Sequence, residues 1–135
     1  MEQKYFNVQR SFGRSLINNP KLINRFYDIF ISSHPAIRPL FKNTDFAHQT
    51  EVLKQGLNIA IMYAQGHPVA ENTLKVLRKS HGKDGMNIDR SLYKYWIDSL
   101  IKTVTESDHK FTPDIEREWR EVLQKTVDYI SADAR

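Results

Sequence analysis

Cysteine is absent from the chain, which excludes disulfides and thiolate metal sites; any metal must be held by His, carboxylate, Met or Tyr. No apolar run approaches the ~20 residues that a membrane-spanning helix needs, so no membrane partner is expected. The opening "MEQKYFNVQR" lacks the basic-then-apolar plan of a signal peptide, and a cytoplasmic location is the expectation. Glycine and proline are scarce, five of each among 135 residues, and most of them separate long segments of helical period. No β-alternation, repeat or low-complexity segment survives inspection. A chain of this length can bury one substantial core, so a single domain over residues 1–135 is expected.

Charge is uninformative about function. The net charge is +4 and the pI near 9.3, a balance that raises the question of nucleic acid. The basic residues, among them Lys21, Arg38, Lys54, Arg78, Lys102 and Arg120, are scattered and interspersed with acids. No arginine cluster or nucleic-acid motif appears, so no nucleic-acid partner is expected.

What the chain does have is helical periodicity. Tyr5, Val8, Phe12 and Leu16 fall at three- and four-residue steps, an amphipathic first helix. Asn19 and Pro20 suit the cap and first position of a second helix, with Ile23, Phe26, Tyr27 and Phe30 as an aromatic stripe. The prolines of "HPAIRPLF" permit only a short helix or turn ending on Phe41. Asp45 or Thr44 then caps a long helix from 46 to about 65, with Phe46, Leu53, Leu57, Ile61 and Ala64 on one face. A weaker helix runs from about 70 to 80 and ends near His81. Asp89 caps the next, bearing Leu92, Trp96, Leu100 and Val104. Thr112 and Pro113 open the last, striped by Ile115, Trp119, Val122 or Leu123, Thr126 and Ile130. The class is all-α, with six to seven helices of uneven length. Aromatics make up 11% of the chain, enough to fill a core or to wall a pocket for a flat apolar ligand.

One stretch, "LRKSHGKDGMNIDRSLYKYW", carries two readings. His81 at a helix end can be a cation set against the negative end of the helix dipole. It can equally be a ligand placed to reach a bound metal. His34 and His67 each precede a proline, where a turn role is the default, and His109 sits in a polar loop. His48 adjoins Gln49, and a surface position beside Asp45 is expected for it.

Taken in order, "FYDIF", "HPAIRPLF", "TDFAHQTEVL", "KSH", "YKYWIDSL" and "FTPDIEREW" resemble the globin family. The likeness is strongest to bacterial single-domain haemoglobins and the globin domain of flavohaemoglobins, from about residue 5 to 131. The resemblance implies a three-over-three helical sandwich around haem b, with a short loop before the distal helix. It implies His81 as the proximal iron ligand and Phe41 as the phenylalanine packed on the haem face. Tyr27, Gln49 and Leu53 match the distal positions facing the bound gas, and Tyr93 a tyrosine close to the proximal histidine. Trp119 falls where the family often places a tryptophan. In flavohaemoglobins a glutamate late in the last helix supports the proximal side; the aligned residue here is Ala134, beside Asp133, which argues against strong peroxidase-like chemistry. The loop after His81 is two residues longer than theirs.

The function so implied is reversible binding of O2, and of CO and NO, at iron held by His81. The alternatives are a gas-sensing or partner-binding signalling globin, or an NO dioxygenase. The dioxygenase would need a separate reductase as partner, because no reductase domain follows within this sequence.

Overall fold

The computed structural model describes residues 4–81 and 89–132, with the side chains of Ser80 and His81 outside that description. Among the described residues there are six α-helices, two short 3₁₀ helices and no strands. The all-α class expected from periodicity therefore holds.

Helix α1 (Phe6–Asn18) buries Val8 and Phe12 together with Ser11 and Ser15. Leu16, at the end of the expected stripe, is only half-buried. Helix α2 (Leu22–Ile31) buries Ile23, Phe26, Tyr27 and Phe30 on the expected face. Its start differs from the expectation. The Asn19 Oδ1 accepts from the Lys21 amide, so the Asn–Pro step closes a turn of its own and Lys21 takes the N-cap position. A side-chain bond to a nearby amide competes with helix initiation in this way.

The "RPLF" stretch forms a 3₁₀ helix, Arg38–Phe41. Helix α3 (Phe46–Ala64) follows, capped by Asp45 rather than Thr44: its carboxylate accepts from the Ala47 and His48 amides. Helix α4 (Pro68–His81) begins two residues earlier than its stripe suggested, because proline is tolerated in a first helical turn. Asp89 caps a 3₁₀ turn, Arg90–Leu92, rather than the helix itself, and α5 (Tyr93–Ser107) starts at Tyr93. Helix α6 (Pro113–Ile130) opens as expected, with the Thr112 hydroxyl accepting from the Ile115 amide.

Helix α2 packs on α5, α3 on α4 and α6, and α1 across α5 and α6. A polar knot ties α1 to the corner before α6. The buried Asp108 carboxylate accepts from the Ser11 hydroxyl at 2.6 Å and from two Arg14 nitrogens at 2.7 and 2.9 Å. Ser11 Oγ in turn accepts from Trp119 Nε1 at 3.0 Å, and the fully buried Trp119 ring meets Phe12 edge-on. Trp119 is thus a core residue whose polar atom is satisfied. No helix of the described residues is long and apolar enough to cross a membrane.

Candidate ligand pocket

Helices α2 to α6 do not close on one another completely. They leave a cavity with about 1020 Å³ of empty space, counted out through its open mouth. Tyr27 and Phe30 of α2, with Leu40 and Phe41 of the 3₁₀ helix, form one end. Gln49, Val52, Leu53, Gly56 and Ala60 of α3 form a wall. Leu74 and Leu77 of α4, with Leu92, Tyr93 and Trp96, face it, and Thr126, Val127 and Ile130 of α6 close the back. Thr126 Oγ1 is spent on the carbonyl of Val122, so polar chemistry in the cavity falls to Tyr27, Gln49 and Tyr93.

Tyr27 is held on three sides. Its ring meets Phe41 at 5.6 Å and Phe46 at 5.5 Å, both edge-to-face. Gln49 Nε2 donates a 3.0 Å hydrogen bond to Tyr27 Oη. With the oxygen used as acceptor, the phenol proton is left to be donated elsewhere. Burial pushes the phenol up to about 12, against the smaller opposing effect of the Gln49 bond, so Tyr27 is a neutral donor throughout the physiological range.

Tyr93 differs. Its hydroxyl is buried and has no hydrogen-bond partner among the described residues, and desolvation pushes it up to about 12. A buried donor left unpaired costs about 1–3 kcal/mol, so a site facing this hydroxyl gains by supplying an acceptor.

Five of the six residues assigned to the ligand site from the sequence, Tyr27, Phe41, Gln49, Leu53 and Tyr93, line this one cavity. His81 is the last residue of α4, whose Leu74 and Leu77 line it; its side chain lies outside the described residues. So do the glycine loop, Asp133 and Ala134. His48 and His109 are exposed. His34 serves its turn, its Nδ1 accepting from the Ala36 amide. Sequence reasoning left Trp96 and Thr126 in the core stripes and passed over Gly56 and Val127, all of which line the cavity. Helical spacing marks an inward face, but not which inward positions meet another helix and which meet a void.

A family model described as "Globin" matches residues 24–130. Among solved structures, a Pseudomonas aeruginosa protein, described as structurally highly homologous to a human hemoglobin, superposes with a TM-score of 0.91. It is 28% identical, over 98% of this chain and 99% of its own. A search of curated proteins by sequence finds no match.

Proposed function

Because this chain belongs to the globin family, we propose that it is a single-domain globin over residues 1–135 that holds haem b in the α2–α6 cavity through His81 and binds O2 reversibly. The observation that carries the reading is the Tyr27–Gln49 pair, a buried phenol held as acceptor by an amide with its proton free, in an otherwise apolar cavity.

The residues present fit the group. The walls are mostly apolar, Phe41 stands at one end, and the Tyr93 hydroxyl has no hydrogen-bond partner among the described residues. The absence of Cys leaves no thioether attachment, so the haem is held non-covalently. His81 as a neutral imidazole would be the iron ligand. When bound, haem supplies iron with one coordination position open to a diatomic gas.

The chain's own residues then set the affinity. Tyr27 would donate its phenol proton to a guest that carries partial negative charge, and so would favour O2 over CO. Gln49 keeps the Tyr27 oxygen occupied, so the phenol proton points to the guest rather than to the protein. Phe41 and Leu53 exclude water from that side. Each hydrogen bond of this kind contributes about 1 kcal/mol or more, roughly tenfold in affinity.

Absorption spectra of the purified protein, oxidised, reduced and reduced under CO, test the reading. The expected outcome is one haem per chain with a CO-sensitive reduced form, lost in His81→Ala. A His81→Ala protein with normal haem content and an unchanged reduced spectrum overturns the ligand assignment.

A further inference from the structure

Along α3, Gln49, Leu53, Gly56 and Ala60 all line the cavity, at steps of four, three and four residues. They form one inward row, running from half-buried Gln49 and Leu53 to fully buried Ala60. Glycine in the middle of a helix is unfavourable relative to alanine, because it gives up more backbone freedom on folding. Two usual reasons for tolerating it fail at Gly56. Its φ is not positive; Gly66 is the positive-φ glycine among the described residues. Nor does close packing forbid a side chain, since a Cβ at 56 would meet nothing within 4 Å beyond its chain neighbours and its own helix backbone. Gly13 has the same open surroundings but does not line this cavity. What sets Gly56 apart is its place in the cavity wall.

We propose that Gly56 is a size-selecting residue of the site: its missing side chain leaves clearance on the α3 wall for a flat tetrapyrrole, where a larger residue would narrow the slot. The proposal rests on the haem reading above and adds to it the residue that admits the macrocycle. Gln49 and Leu53 on the same row reach into the space where a gas is held. Gly56 lies one turn further on, where a long side chain would compete with the cofactor itself.

The test separates the cost of the glycine to the helix from its use to the ligand. Apoprotein is prepared, loaded with hemin, and followed in two ways: thermal unfolding of the apoprotein, and the rate of hemin transfer to an excess of a high-affinity acceptor apoprotein. Gly56→Ala is expected to raise the apoprotein Tm by about 2–4 °C, through the gain in helix propensity, while hemin leaves severalfold faster. Gly56→Leu is expected to release hemin at least about tenfold faster. Asn58→Leu, an exposed position of the same helix, should release it at the parent rate. If the parent holds hemin and both Gly56 variants release it at the parent rate, the proposal is overturned. Should Gly56→Leu fail to fold, Gly56→Ala decides: a higher apoprotein Tm with equal or slower hemin loss overturns the proposal too. A parent that takes up no hemin overturns the haem reading itself, and this inference with it.

Discussion

At Tyr27, burial raises the phenol to about 12 while the Gln49 amide occupies its oxygen, so what remains for chemistry is one oriented proton. Tyr27→Phe keeps the ring between Phe41 and Phe46 and removes only that donor. We expect O2 to dissociate about 10- to 150-fold faster, the effect of losing about 1.5–3 kcal/mol to a partly charged acceptor. CO dissociation, measured by the same stopped-flow displacement, should change far less. Unchanged O2 release in Tyr27→Phe, with a strong effect from Gln49→Leu, would move the donor role to Gln49. The same raised values give an alkaline signature. A phenol with a folded pKa above the ordinary 10 adds stability that is complete below pH 10 and is lost as pH climbs through about 12. The parent should therefore lose stability relative to Tyr27→Phe across that window in alkaline denaturant titrations. Tyr93 offers the complementary case. Its hydroxyl is buried without a partner among the described residues, so Tyr93→Phe should leave apoprotein stability unchanged or raise it by up to about 1 kcal/mol. A drop of more than about 1 kcal/mol in urea unfolding of the apoprotein would show that the hydroxyl is already paired without the cofactor.

Helix α3 is the element on which the site depends most, since it supplies the wall from Gln49 to Ala60. Its first turn is held by the Asp45 carboxylate, which accepts from Ala47 and His48 at 3.1 and 3.4 Å. Gln49 lies on the next residue. Asp45→Ala is expected to cost about 1 kcal/mol of stability, the ordinary value of an N-cap, read as a shift in the urea midpoint at constant slope. Fraying of that turn loosens Gln49 from Tyr27, so O2 release should quicken as well. Stability loss with unchanged O2 release would place the Gln49 amide under the control of packing rather than of the cap.

For the molecule as a whole, the knot of Ser11, Arg14, Asp108 and Trp119 joins the first helix to the last corner, and none of the four lines the cavity. Burial alone would raise the Asp108 carboxyl, but hydrogen bonds from Arg14, Ser11 and the Lys110 amide outweigh it and hold the group below the ordinary aspartate range. A carboxyl depressed in the folded state contributes stability that is present above its unfolded value and lost as pH falls through the folded one. The knot should therefore support the fold fully above about pH 4 and fail progressively below it. Asp108→Asn should cost about 3 kcal/mol near neutrality, because it breaks a largely buried pair. Its stability should converge on the parent's in acid. A constant gap between the two proteins from neutral to strongly acid pH would show that Asp108 acts by shape rather than charge.

Much of this protein was determined by its sequence alone. Helical spacing of Ile23, Phe26, Tyr27 and Phe30, a cap at Thr112 and one at Thr44 or Asp45, and boundary prolines act within a few residues, so they can be read without knowing the partner helices. The order of motifs from "FYDIF" to "FTPDIEREW" pointed to the family for the same reason, and assembled Tyr27, Phe41, Gln49, Leu53 and Tyr93 as one site before their meeting at one cavity could be seen. Only the tertiary structure decided the rest. Whether Asn19 caps a helix or closes a turn depends on which amide its side chain finds. That Trp119 spends its indole on Ser11, 108 positions away, has no local signal. Nor does the place of Gly56 in the cavity wall. Periodicity records which side of a helix turns inward; whether that side meets another helix or a void is settled only when all the helices are in place.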